Sequence, residues 1–193
     1  MNKKTILVTI SSLVLITIVG LAAILFARPP RYQGTVYPEP YPVAPDFQLT
    51  STQGNQLALR ELRGHVTMIF FGYTNCPDEC PTTMAKIKLA INSLDKQGND
   101  IRVLFITTDP VRDSVGPLND FLSRFNPAFI GLTGSVSDLQ KVWDSYGVYV
   151  ADGGATHSNR IYVVDGKGNL RLTFPFDMES DAMASDLKIL LSE

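Results

Sequence analysis

Val66-Thr67-Met68-Ile69-Phe70-Phe71-Gly72-Tyr73-Thr74-Asn75-Cys76-Pro77-Asp78-Glu79-Cys80-Pro81 opens as a short, nearly continuous apolar run and closes on two cysteines. A run of that kind is expected of a strand buried on both faces. Past it, Thr82 to Leu94 carries Met84, Ile87, Leu89, Ala90, Ile91 and Leu94, an apolar stripe of helical period. Both cysteines therefore fall where a buried strand turns into a helix, with Pro81 suited to the first helical position. Free N–H groups and the positive end of the helix dipole favour a thiolate there over a thiol.

The same alternation continues outward. Phe47–Leu49 and Leu57–Leu59 flank Gln53-Gly54-Asn55, a small hairpin. Arg102–Thr107 reads as a second central strand, Val115–Phe125 as helix and Phe129–Leu132 as strand. Val136–Tyr146 reads as helix, with Ser135 or Ser137 as its cap. Ile161–Val164 and Leu170–Phe174 flank Asp165-Gly166-Lys167-Gly168, a strong hairpin signal, and Asp181–Leu191 closes the chain as an amphipathic helix. Strands alternating with helices, then a hairpin and a final helix, predict an α/β sandwich with a central mixed sheet, an order that fits the thioredoxin-like fold. No internal repeat, P-loop, GxGxxG after a strand or GxSxG is present.

The N-terminus has a different character. Lys3 and Lys4 precede an uncharged run from Thr5 to Ala27, closed by Arg28 and Arg31. At about 1.5 Å per residue a helix of this length crosses the roughly 30 Å hydrocarbon layer. Gly20-Leu21-Ala22 offers a signal-peptide cleavage site, but the apolar run continues through Phe26, longer than a normal signal core. Residues 1–28 are therefore read as a single N-terminal transmembrane helix. Residues 29–45, with Pro29-Pro30, Pro38, Pro40, Pro42 and Pro45, are read as an extended stalk. Residues 46–193 are read as the folded domain. No Arg- and Ser-rich transit peptide is present, which points to a bacterial plasma membrane and not a mitochondrion. The formal net charge of −2, without a Lys/Arg stripe, excludes an electrostatic footprint for nucleic acid.

Two cysteines, Cys76 and Cys80, and two histidines, His65 and His157, make up the soft-ligand inventory. A domain of this size needs no four-residue staple, so the pair suggests chemistry. A redox dithiol usually has two intervening residues, and here there are three. A peroxidatic cysteine usually follows Thr or Ser by three positions, and that position is Tyr73. Thiolates with imidazole suit copper, as Cu(I) or Cu(II), or zinc, but structural zinc wants four protein ligands. His65 lies at the far end of the strand, roughly 20 Å away. His157, in the loop Gly153-Gly154-Ala155-Thr156-His157-Ser158 before a strand, is the candidate third ligand. A metal-free thiol–disulfide oxidoreductase or redox sensor on the Cys76/Cys80 dithiol stays open, and a thiol peroxidase is the third reading.

Gly72–Pro81 closely resembles the Sco/SenC signature, an aromatic and Thr-containing lead into Cys-Pro-Asp-x-Cys-Pro. Thr108-Asp109-Pro110-Val111-Arg112-Asp113-Ser114 resembles that family's Asp-Pro-x-Arg-Asp motif, and His157-Ser158 with Ile161–Asp165 resembles its His-Ser segment and strand. The resemblance implies a copper-binding metallochaperone with a soluble thioredoxin-like domain on the extracytoplasmic side of the membrane. It implies copper on Cys76, Cys80 and His157, and assembly of the binuclear copper centre of cytochrome c oxidase subunit II or another copper acceptor, with a thiol reductant upstream. Asp78, Asp109 and Asp113 match motif acids that shape the site or a partner surface. The short, Gly-rich stretch between Tyr149 and His157 departs from the longer loop common in the family, where an aromatic residue shortly precedes the histidine.

Overall fold

The computed structural model describes residues 2–26 and 32–193, with the side chains of the first helix described over 10–21. It divides into two units, residues 1–31 and Tyr32–Glu193. In the first, α1 (Lys3–Phe26) is a helix of 24 residues. Among the described residues, no helix is long and apolar enough to cross a membrane. The expected segment is thus present as a helix without being established as a span. Arg28 and Arg31, expected to close it, and Pro29-Pro30, expected to open the stalk, lie outside the described residues, as do the side chains of Lys3 and Lys4.

In the second unit an eight-stranded mixed sheet runs in the order β1-β10-β9-β4-β5-β6-β2-β3. Its centre is β4 (Val66–Gly72), paired in parallel with β5 (Ile101–Thr107), which pairs in parallel with β6 (Ile130–Thr133). Parallel neighbours require long crossovers. These are α2 (Glu79–Asn92) between β4 and β5, and α3 (Val115–Ser123) between β5 and β6. On the other side of β4 the antiparallel hairpin β9 (Arg160–Val164) and β10 (Leu170–Pro175) continues the sheet. Beyond β6 comes the hairpin β2 (Gln48–Ser51) and β3 (Gln56–Ala58).

Every residue of β4 is buried because both its faces are covered. Met68 and Phe70 join Val103 and Phe105 of β5 in one core with Met84 and Ile87 of α2, Leu118 of α3, and Leu187 of α5 (Ser180–Leu191). Ile69 and Phe71, pointing the other way, join Leu104, Ile106, Leu139 and Trp143 in a second core under α4 (Val136–Tyr146). Ser135 caps α4 by accepting the Asp138 N–H at 3.1 Å, and Gly147 closes it in the left-handed conformation (φ 65°). The expected elements are found with shifts of one to three residues at their ends. The largest is at α2, which starts at Glu79, three residues before Thr82. Pro81 is tolerated there because the N–H groups of a first helical turn have no intrahelical partner to lose.

The Pro-rich segment differs more. From Tyr32 on it does not stand free of the domain. Thr35–Val36 forms β1 against β10, Ala44 N–H donates to Gly168 O (2.9 Å), and Leu170 N–H donates to Pro42 O (2.8 Å). The fully buried Asp186 carboxylate accepts the N–H groups of Gln33 and Gly34 at 2.9 and 2.7 Å. Arg171 lies 4.0 Å over the Tyr41 ring and pairs with Asp165 and Glu193. Prolines that discourage helix also suit an edge strand, where a missing N–H faces solvent.

Candidate metal centre

The cysteine arm is built from the C-terminal end of the sheet's central strand. Gly72 ends β4 where a side chain cannot fit, since a Cβ there would lie 2.9 Å from Cys80 Sγ and 3.0 Å from the Phe105 ring. The loop after it is held by one buried carboxylate. Asp113, fully buried, accepts the Thr74 N–H at 3.0 Å, the Thr74 hydroxyl, and the Thr107 hydroxyl at 2.8 Å. Thr107 Oγ1 accepts the Asp109 N–H at 2.9 Å, and Asp109 is paired with Arg112. Asp113 therefore ties β5 and its following turn to the cysteine loop. The Asp78 side chain, by contrast, is exposed, with a long contact to the Thr82 hydroxyl.

Cys76 and Cys80 are both free thiols with unlike surroundings. Cys76 is half-buried in the loop, and its Sγ accepts the Cys80 N–H at 3.4 Å. Burial alone would raise its pKa. The backbone N–H groups of Cys80 and Asp78 at the opening of α2 outweigh that and leave it lowered. Cys80, the second residue of α2, is completely buried, and burial drives its pKa far up. The two sulfurs are thus shifted in opposite directions, Cys76 toward the thiolate and Cys80 toward the thiol.

The histidine arm is a small separate ladder. Where the sequence predicts a flexible loop, Val150–Ala151 (β7) pairs with Thr156–His157 (β8), with His157 opposite Val150. Its turn rests on the segment after β5. Thr108 Oγ1 donates to Gly154 O at 3.0 Å, and Gly154 (φ +95°) sits so close that a Cβ would be 2.2 Å from Thr108 O. That position needs glycine for both reasons. His157 is half-buried, with Nδ1 3.2 Å from Ser158 O. A carbonyl oxygen only accepts, so Nδ1 carries the proton and Nε2 keeps its lone pair. Burial lowers the His157 pKa, with the Ser158 contact and Glu79 opposing, and favours this neutral form.

The arms meet across a cavity of about 330 Å³ lined by Tyr73, Cys76, Pro77, Asp78, Glu79, Thr156, His157 and Asn159, among others. The rings of Tyr73 and His157 stand edge to face, centroids 5.9 Å apart. Asn159 Nδ2 donates to Glu79 Oε2. Cys76 and His157 share this cavity, while Cys80 lies behind its wall. Among the described residues, no group of three or more His, Cys, Asp or Glu side chains is drawn together closely enough to hold a metal ion. His65 lies at the other end of β4, its Nε2 3.1 Å from the Arg102 guanidinium, and takes no part. Tyr73 and Asn159 are contributors that the spacing of soft ligands could not reveal. The one signal for Asn159 was its place two residues after His157, on the same side of extended chain.

Comparison with known proteins places these arms in context. The SCO1/SenC family matches residues 36–192. A SCO2-like protein of Rickettsia felis is 31% identical over 201 residues, covering 97% of this chain and 98% of the relative. Among solved structures, Bradyrhizobium japonicum ScoI with copper bound is similar at 34% identity and TM-score 0.69, covering 77% of this chain and 99% of that one. Arabidopsis thaliana ScoI with copper bound is similar at 29% identity and TM-score 0.72, covering 78% and 99%.

Proposed function

The chain belongs to the SCO1/SenC family, and from that premise we propose that it binds copper through Cys76, Cys80 and His157 and passes it to a copper acceptor, the binuclear copper centre of cytochrome c oxidase. The observation that carries the reading is the cavity shared by Cys76 and His157, with the thiolate favoured on one side and an imidazole Nε2 lone pair free on the other. Copper is the cargo, and two sulfurs with one imidazole suit it. Cys76 captures first. Cys80 loses its proton only on coordination, which a metal ion enforces on a thiol. His157 completes the site by a small inward movement of the β7–β8 ladder, and an acceptor's thiolates then compete for the copper. A thiol reductant must keep both cysteines reduced beforehand. The α1 helix, about 36 Å long at 1.5 Å per residue, serves as the anchor in a bacterial plasma membrane, with the domain on the extracytoplasmic side. Partition of the full chain into membranes that resists alkaline carbonate, and is lost when residues 1–31 are deleted, checks the anchor.

The unlike thiols favour a second reading, a thiol–disulfide oxidoreductase or redox sensor, since a half-buried attacking sulfur beside a fully buried resolving one suits exchange. An anaerobic copper titration of the reduced protein under chelator competition separates the two. One tight copper per chain, weakened in Cys76→Ser, Cys80→Ser and His157→Ala alike, is the expected outcome. Binding untouched by His157→Ala sinks the three-ligand site and leaves the dithiol reading.

A further inference from the structure

Glu79 fills the one open position of Cys-Pro-Asp-x-Cys-Pro, and it is an exposed carboxylate at the first residue of α2. Its partner Asn159 lies two residues past His157. The bond between them joins the neighbour of Cys80 to the two-residue link that follows the histidine's strand. Asn159 holds it at some expense, because its own Oδ1 is buried with no donor among the described residues. The rest of the histidine arm is fastened elsewhere. Gly154 is bonded to Thr108 at the turn, and Tyr149 and Ser158 bond each other within the ladder, Tyr149 N–H to Ser158 Oγ at 3.1 Å and Ser158 N–H to Tyr149 O at 3.1 Å. At the end that carries His157, the contacts to the cysteine arm are Glu79–Asn159 and the Tyr73 ring.

We infer that Glu79 and Asn159 are positioning residues, a crossbar that holds His157 over Cys76 and sets how fast the site opens. The inference rests on the copper-binding reading for its consequence and not for its geometry. With the crossbar made, the histidine end of the ladder is fastened at both ends and Cys76 is screened from one side. With it broken, the ladder keeps its turn contact, the Tyr73 ring and its run into β9 at Arg160, and His157 gains the slack of the two-residue link 158–159.

The test uses the reduced, metal-free protein first and the copper-loaded protein second. In the first arm, Cys76 is alkylated with iodoacetamide at a pH high enough for the rate to have reached its plateau. Asn159→Ala is expected to raise the rate about three- to tenfold, the span of one hydrogen bond of ordinary strength. Asn159→Asp, which sets two carboxylates against each other, is expected to raise it at least as much. Adding Glu79→Gln to Asn159→Asp lets the new amide donate to the new carboxylate, and is expected to restore the rate to within about twofold of the parent. The second arm reads copper release to a chelator, where the same order is expected. A parent-like alkylation rate in both single Asn159 variants overturns the inference, as does failure of the double variant to restore it. Because the alkylation arm needs no metal, a protein that binds no copper leaves the crossbar still judged, and only the reading above falls.

Discussion

The two arms that face each other across the cavity are made to different standards. The cysteine arm grows out of β4, buried on both faces at the middle of the sheet, and is braced by a carboxylate that no water reaches. The histidine arm is a ladder of two residues a side, outside the main sheet, seated at its turn on the Thr108 hydroxyl and at its other end against Glu79 and the Tyr73 ring. A site that must capture a metal and later surrender it is served by this division. In the proposed site the sulfurs stay where the fold puts them, and the imidazole would be the ligand that leaves. Local stability differs within one protein in this way whenever few buried contacts hold a segment down.

The most severe way to break the contrast is to unbrace the rigid arm. Asp113→Ala removes the acceptor for the Thr74 N–H and for the hydroxyls of Thr74 and Thr107. Buried donors left without partners cost about 1–3 kcal/mol each, so the loss is expected to be about 3 kcal/mol or more, read by denaturant unfolding. Asp113→Asn, which keeps an acceptor oxygen, is expected to fall between the two. A loss under about 1 kcal/mol for Asp113→Ala would show that the two arms are braced alike.

Gly154→Ala attacks the other arm at its seat. The new methyl meets Thr108 O at a distance that no packing accepts, in a backbone conformation that alanine resists. The turn must lift, at a cost of about 1–3 kcal/mol. Because the ladder is small, the change is expected to appear more in amide exchange at 150–158 than in global unfolding. Equal loss of protection in β4 would mean that the arms are one cooperative unit.

Much of this contrast was legible in the chain, and unevenly so. Met68–Phe71 reads as a buried strand and Val136–Tyr146 as a helix because burial imposes composition and period, and local rules suffice. The junction of Cys76 and Cys80 followed from the same reasoning. Residues 29–45 read as a stalk, while the described part from Tyr32 on lies against the domain, because proline density reports what a segment avoids and not what it packs on. The partners that hold it, Asp186 and Arg171, are more than a hundred residues away in sequence. The crossbar at Glu79–Asn159 was hidden for the same reason, since a polar pair separated by 80 residues leaves no periodic trace.

The sulfurs sharpen the comparison within the rigid arm itself. The Cys76 pKa is lowered by N–H groups that outweigh burial, while that of Cys80 is raised by burial. Only the thiolate alkylates. The Cys76 rate is therefore expected to climb with pH and level off below the range of an ordinary cysteine near 8.5. Cys80 is expected to react at least about tenfold more slowly at neutral pH, measured by peptide mapping after a timed quench, since one pKa unit already separates rates by about that factor. Equal labelling of the two cysteines would remove the asymmetry on which sequential capture depends.

The smallest effect is also the most telling. His157→Ala deletes a half-buried ring whose contacts are one face of Tyr73 and one carbonyl. Tyr73 is a core residue but His157 itself is not, and its loss is expected to alter the stability of the metal-free protein by no more than about 1 kcal/mol in thermal unfolding. The folded-state pKa of His157 lies below its ordinary value, so the neutral ring is the form the fold prefers. Whatever stability that preference contributes is present above the ordinary histidine pKa and is lost as pH falls through the lowered one, and it disappears in the alanine variant. A half-buried imidazole that favours its neutral form, in the cavity that also holds Cys76, is consistent with the proposed ligand role. A large loss of metal-free stability in His157→Ala would reverse that argument and return the histidine to the ranks of packing residues.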